Sequence, residues 1–275
     1  MTPPVLTAVE KSFFESNGYL SLPAAADVLE LAQIRHLLAR LVEHRTGFER
    51  GDFLDLAGDD ANPEEARLPQ ILMPVNYLPE LASFSLPRIA REIARQLLGD
   101  PIIAEGEHMI LKPPRTGAYT PLHQDEAFWS DETDYQSVSV WFPLQDVDAS
   151  NGCLHFVPGS HKGDVLPHHS VENNPQINGL EVDHPQAFHP VEVPLKIGGL
   201  TVHHCRTLHG GPANTSSEPR YAYIFGFGLP AKPARVPRNY YWLKNKNLYR
   251  EKRAQELGYQ LTKMHPELEG APTCS

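Results

Sequence analysis

Beyond Gly99-Asp100-Pro101 the chain becomes a succession of short apolar runs separated by Gly, Pro and Asn turns. The runs cover residues 102–112, 118–125, 137–144, 153–157, 189–195, 200–205 and 221–227. Seven strands of that length, joined by turn residues, bury their apolar faces as a β-sandwich or barrel. Ahead of the break the pattern is helical. Residues 9–16 predict a short amphipathic helix stopped by Asn17-Gly18. Residues 24–43 place Val28, Leu31, Ile34, Leu37, Leu38 and Leu41 at helical spacing, and residues 86–98 predict a third helix. Two stretches break the pattern. Residues 46–76 read as a loop or lid with a short strand near 68–73. Residues 163–188, with three Asn, three His and three Pro, read as a lid over the barrel mouth. The expected organisation is one domain over residues 1–275. It has a helical part to about residue 100, a strand-rich core over about 101–230 and a C-terminal extension over about 231–275.

A chain of 275 residues is long enough for a full hydrophobic core. The formal net charge of −10 argues against a nucleic-acid partner, because phosphate binding needs clustered Lys and Arg. The best basic stretch, residues 244–253 with five Lys or Arg, reads as one face of a C-terminal helix. No apolar run reaches the roughly 18 residues of a membrane span. Met1-Thr2-Pro3-Pro4 lacks the charged and apolar regions of a signal peptide. Three scattered cysteines, Cys153, Cys205 and Cys274, argue for a reducing compartment, expected to be the cytoplasm.

The segment Thr120-Pro121-Leu122-His123-Gln124-Asp125 holds the only His-x-Asp triplet in the chain. Alternate strand residues share a face, so His123 and Asp125 can reach one metal ion. A histidine from another strand would complete a 2-His-1-carboxylate set, which leaves three positions open and suits non-haem Fe(II). Zinc favours a closed tetrahedron or more His and Cys ligands. The third ligand is to be chosen among His203, His204 and His209. His203 and His204 lie mid-strand on opposite faces and read as core or surface histidines. His209 is expected at a strand end beside Gly210-Gly211, where there is room for a metal and what it carries. Arg220 follows eleven residues later, at the start of the next strand. Its planar, permanently charged fork suits a carboxylate held deep in the barrel.

These residues, with others in order, resemble the phytanoyl-CoA dioxygenase family of Fe(II)/2-oxoglutarate oxygenases. The resemblance runs from Phe14-x-x-x-Gly18-Tyr19 through Lys112-Pro113-Pro114 and Pro121-Leu122-His123-Gln124-Asp125. It continues with Asn151-Gly152-Cys153-Leu154 and Val157-Pro158-Gly159-Ser160-His161-Lys162, and closes with Leu208-His209-Gly210 and Asn214-x-Ser216-x-x-x-Arg220. It implies a mainly β fold, a cupin-like jelly roll or double-stranded β-helix with N-terminal and flanking helices. It implies His123, Asp125 and His209 as iron ligands and Arg220 as the residue that holds 2-oxoglutarate, with O₂ as the second cosubstrate. Trp141 and Met109 match positions that line the cosubstrate, and Gln70 matches a polar position in the lid region. Many members have Ser where this chain has Gly211, so a hydroxyl toward the far carboxylate is expected from elsewhere, with Thr120 the candidate. Phe128 and Trp129 follow the metal strand and are expected near the substrate. Related halogenases replace the carboxylate ligand with Ala or Gly, so Asp125 points to hydroxylation or another oxidation. The expected substrate is a small metabolite or natural-product intermediate, because the basic rim that coenzyme A phosphates would need is thin. The alternatives are an acyl-CoA 2-hydroxylase and, in another class, a non-redox cupin-like metal-binding or interaction protein.

Overall fold

The computed structural model describes residues 2–262, so Cys274 and the end of the C-terminal extension lie outside the described residues. In chain order the strands are β1 (Tyr19–Leu22), β2 (Phe53–Asp55), β3 (Pro69–Leu72), β4 (Ile103–Lys112), β5 (Thr120–His123), β6 (Thr133–Asp134), β7 (Ser137–Pro143) and β8 (Leu154–Phe156). They continue as β9 (His168–Ser170), β10 (Leu180–Val182), β11 (Val191–Val193), β12 (Leu200–His204), β13 (His209–Gly211), β14 (Arg220–Gly228) and β15 (Lys232–Pro233). The helices are α1 (Ala8–Asn17), α2 (Val28–Glu43), α3 (Leu86–Leu98), α4 (Tyr241–Lys244) and α5 (Tyr249–Leu257). No helix among the described residues is long and apolar enough to cross a membrane.

Two antiparallel sheets make the jelly roll. The major sheet runs β1-β12-β7-β14-β4-β3-β2 and the minor sheet β11-β8-β13-β5. Strand alternation sorts the major sheet into two faces. Met109, Leu111, Val138, Val140, Phe142, Val202, Tyr223 and Phe225 pack outward against Leu31, Ile34 and Leu38 of α2 and Ile89 and Ile93 of α3. Trp141, Ala222 and Ile224 face inward and meet Leu154 and Phe156 of the minor sheet. The functional residues lie on this inner face.

Helix ends follow local chemistry. The Thr7–Glu10 capping box starts α1, and Gly18, in the left-handed region at φ 81°, ends it. Helix α2 starts at Val28, later than the expected residue 24. The Ala25 and Ala26 amides both donate to the Gly198 carbonyl, and Asp27 caps the helix by accepting from Leu29 and Glu30.

Both irregular stretches are more ordered than their composition predicts. Residues 46–76 contain two strands of the major sheet, β2 as well as the expected one near 68–73. With β1, the first hundred residues therefore supply three strands beside their helices. Residues 163–188 are not structureless, because β9 and β10 pair with each other. This insert packs on the strand that carries His123, where Leu122, Val182 and Leu208 form a small core. His168 is fully buried at that junction. Its Nδ1–H donates to the Leu166 carbonyl (2.7 Å), and its Nε2 accepts from the Gln124 amide (3.2 Å).

Burial pushes the His168 pKa down from 6.5 to about 4. On acidification the unfolded chain therefore takes up this proton first. Stability is complete above pH about 6.5 and falls as pH drops toward about 4, by on the order of 3 kcal/mol from this group. Denaturant titrations at neutral and acid pH measure the loss, and His168→Gln is expected to reduce it by that amount.

Candidate metal centre

Strand β5 ends at His123, two residues earlier than expected, and Asp125 opens the 3-10 turn Asp125–Phe128. Gln124 between them keeps extended backbone (φ −112°, ψ 133°), so alternation still brings His123 and Asp125 to one side. Gln124 itself is fully buried. Its Nε2 donates to the Arg206 carbonyl (2.7 Å), and its Oε1 accepts from the Leu166 amide (2.7 Å). The middle residue of the triplet, given no role from sequence, ties the metal turn to both flanking segments.

The chain leaves the major sheet after His204, turns through Cys205-Arg206-Thr207 and enters the minor sheet at His209. His209 therefore starts a strand, where the sequence pattern placed it at a strand end. The turn closes with the Thr207 amide on the His204 carbonyl (2.8 Å) and the Thr207 hydroxyl on the Gly18 carbonyl (2.7 Å). As a result His209 lies directly opposite His123 in the β13–β5 ladder.

The donor atoms of His123, Asp125 and His209 all lie within 4.8 Å of one another. His123 Nε2 and His209 Nε2 stand 3.6 and 3.5 Å from Asp125 Oδ1. His123 Nδ1 faces the Pro121 carbonyl (2.8 Å) and His209 Nδ1 faces the Thr207 carbonyl (2.9 Å). A carbonyl only accepts, so both Nδ1 atoms carry the proton and both Nε2 lone pairs point into the site. Burial, then the His203 and His123 imidazoles, hold His209 well below the usual histidine range. Burial alone would raise Asp125, but His209, His123 and His203 outweigh it and hold the carboxyl well below its usual range. Two imidazole nitrogens and one carboxylate oxygen that converge on one point are a donor set that fits Fe(II) with open positions.

Arg220 sits at the start of β14 on the inner face, 2% exposed, with its guanidinium carbon 5.6 Å from the Trp141 ring centre. Its Nε and Nη1 are buried with no hydrogen-bond partner, and burial pushes its pKa down to about 9. Its register partner Lys112, 1% exposed, donates to the Gly211 and Pro212 carbonyls (2.9 and 2.7 Å). Leaving a buried guanidinium unpaired is costly, so the missing partner is an anion that enters the barrel. The residues fit the far carboxylate of a dicarboxylate that runs along Trp141 toward the metal.

Other expected residues divide. Pairing between β13 and β5 shifts by one residue between His209 and Gly211, a bulge that sets Thr120 opposite Gly211. Cross-strand partners share a face, so Thr120 returns to the inner face with His123. A Cβ on Gly211 would lie 2.8 Å from the Cys153 carbonyl oxygen, so a serine is excluded there. Gln70 pairs with Ile110 and lies half-buried on the inner side of β3. The Phe128 ring stands edge-on to His123 at 5.7 Å. Trp129 instead packs on Tyr135 at 4.8 Å. Met109 is a correction. It pairs with Tyr223 and Ile71 on the helix-facing side of the major sheet, so it cannot line the cosubstrate. The inward residues of β4 are His108, Ile110 and Lys112, one position to either side of it and three beyond. His203 is the inward member of the His203-His204 pair and is buried, within the expected reading of a core histidine. It faces the triad, as described below.

The metal turn is clamped from behind by the C-terminal extension. Glu126, fully buried, takes a bidentate pair from Arg206 (2.6 and 2.9 Å) and a third bond from Arg238 Nη1 (2.7 Å). Trp242 Nε1–H donates to the Ala127 carbonyl (2.8 Å). A cavity of about 720 Å³ lies beyond this clamp, lined in part by Arg206, Arg238, Tyr240 and Trp242. His123, Asp125 and His209 do not line it.

Comparison with known proteins identifies similar chains. A protein solved as EvdO2 from Micromonospora carbonacea var. aurantiaca, complexed with 2-oxoglutarate, is 32% identical with a TM-score of 0.75, over 88% of this chain and 98% of that one. A probable alpha-ketoglutarate-dependent hypophosphite dioxygenase from Stutzerimonas stutzeri is 32% identical over 140 residues, 50% of this chain and 48% of that protein. Phytanoyl-CoA dioxygenase domain-containing protein 1 from Danio rerio is 30% identical over 187 residues, 65% of this chain and 62% of that protein. The chain thus spans about half to two thirds of the length of these two curated relatives. The phytanoyl-CoA dioxygenase family model matches residues 14–222, from α1 into β14, and the chain belongs to that family.

Proposed function

We propose that this chain is an Fe(II)/2-oxoglutarate-dependent dioxygenase that hydroxylates an unactivated C–H bond of a small metabolite or natural-product intermediate, with succinate and CO₂ as co-products. One observation carries the reading. Two bare imidazole nitrogens and a carboxylate converge at one end of the inner face, while a buried guanidinium with unpaired donors waits beyond Trp141. A non-redox metal binder has no use for that second feature.

Fe(II), with 2-oxoglutarate and O₂, supplies the oxidising chemistry when bound at the triad. The protein's own residues do the rest. His123, Asp125 and His209 hold the metal on one side. Arg220 orients the cosubstrate through its far carboxylate, with Thr120 as the inward hydroxyl opposite Gly211. Trp141 supplies the apolar wall between them, and Phe128 and Phe156 shield the histidines from water. Gln70 lies on the same inner face and is assigned to the substrate side.

The basic stretch 244–253 offers an acyl-CoA substrate only a thin rim, because two of its five cations are engaged internally. Lys246 binds the Ile177, Asn178 and Gly179 carbonyls, and Arg253 pairs with Glu49. We place the enzyme in a reducing compartment such as the cytoplasm, since Cys153 and Cys205 are free, buried thiols.

The test is a substrate panel with Fe(II), 2-oxoglutarate and O₂, read as succinate formed above the uncoupled background. One class of small substrate is expected to raise succinate about tenfold or more, with a product that gains one oxygen atom. No succinate under any condition contradicts the proposal. Strong coupling to acyl-CoA alone overturns the substrate assignment.

A further inference from the structure

His203 lies on the inner face of β12, in register with Ser139 of β7. It is 3% exposed, and its ring centre is 4.1 Å from that of His209 and 5.4 Å from that of Phe156. Both ring nitrogens are buried with no hydrogen-bond partner. A neutral imidazole always carries one N–H, and a buried donor left unpaired is costly. Nε2 stands 3.3 Å from Asp125 Oδ2. That same oxygen accepts a hydrogen bond from the Ser139 hydroxyl (2.7 Å).

The two carboxylate oxygens therefore face different groups. His123 and His209 approach Oδ1, whereas Ser139 and His203 approach Oδ2. Resting on the iron reading above, we propose that His203 is a positioning residue for the metal carboxylate. Its Nε2–H closes onto Asp125 Oδ2 when Oδ1 takes the metal, so that Ser139 and His203 together keep Asp125 monodentate. A bidentate Asp125 would occupy a fourth position and leave two for a chelating cosubstrate and O₂, which need three. The approach from the Oδ2 side also separates His203 from the ligands. As a fourth ligand it would have to reach the Oδ1 side.

The experiment compares His203→Phe, which keeps an aromatic ring without a donor, with His203→Gln, which keeps a donor. Melting of the metal-free protein, anaerobic Fe(II) affinity and the visible charge-transfer band with Fe(II) and 2-oxoglutarate are measured for each. The metal-free His203→Phe protein is expected to melt near the wild-type temperature, because the ring is kept and the ring nitrogens make no directed hydrogen bond in the absence of metal. Its Fe(II) affinity is expected to fall about ten- to hundred-fold, the range for loss of a partner behind a metal ligand, with a weaker or shifted band. His203→Gln is expected to recover most of the affinity. Fe(II) binding by His203→Phe as tight as wild type, with an unchanged band, overturns the proposal. So does loss of metal in both variants with a lowered metal-free melting temperature, which makes the ring a packing element. If the wild-type protein gives no band, the iron reading fails instead of this one.

Discussion

Asp125→Ala is expected to abolish succinate formation, by more than about 1,000-fold, and to weaken Fe(II) binding to a similar degree. Asp125 is the one anionic donor of the triad, and its low pKa keeps it charged at all working pH values. Without it the metal faces two neutral imidazoles, which bind Fe(II) weakly. Equilibrium titration of the metal-free variant with Fe(II), alongside a succinate assay, measures both losses. An Asp125→Ala protein that retains wild-type Fe(II) affinity would remove the carboxylate from the site.

Arg220→Met is expected to change cosubstrate binding and stability in opposite directions. The KM for 2-oxoglutarate should rise on the order of 100-fold, about 3 kcal/mol, because a bidentate, charge-assisted contact is lost. The metal-free protein should become more stable by about 1–3 kcal/mol, because Nε and Nη1 are buried without partners in the wild type. Adding 2-oxoglutarate should then raise the melting temperature of the wild type and leave the variant nearly unmoved. A destabilised variant with unchanged KM would make Arg220 a structural residue. Fe(II) affinity in the absence of cosubstrate is expected to stay near wild type, which separates this effect from that of Asp125→Ala.

The strand-rich core was legible because its apolar runs are bounded by strong turn residues. The segments that became β4, β7, β12 and β14 stand out on that ground alone. Of the N-terminal strands, β1 and β2 were not, because they are only four and three residues long and draw their stability from pairing with other strands. Helix α2 starts at Val28 because Asp27, in extended backbone, caps it by accepting from the Leu29 and Glu30 amides, while Ala25 and Ala26 are held by the Gly198 carbonyl.

At the candidate site, residue types and spacing singled out His123, Asp125 and His209, which the structure brings together, and Arg220, which it buries beside Trp141. Met109 was misplaced by a single position, and in a strand one position reverses the face. His203 read as a core or surface histidine, and it is buried in the core. Of the adjacent pair His203-His204, one had to face inward, but only the register with Ser139 decides which. Thr120 illustrates the converse. Simple alternation puts it on the face opposite His123, and the bulge in β5 brings it back. Gln124, Glu126, Arg238 and Trp242 carry no local signal at all, because their roles are contacts between segments far apart in sequence.

The most direct test of the central claim is anaerobic addition of Fe(II) and then 2-oxoglutarate to the metal-free protein, followed by visible absorption. A weak charge-transfer band that saturates at one Fe(II) per chain, and is lost in His209→Ala, is the predicted result. Absence of the band in the wild-type protein, or an unchanged band in His209→Ala, would contradict the assignment of His123, Asp125 and His209 as the iron site.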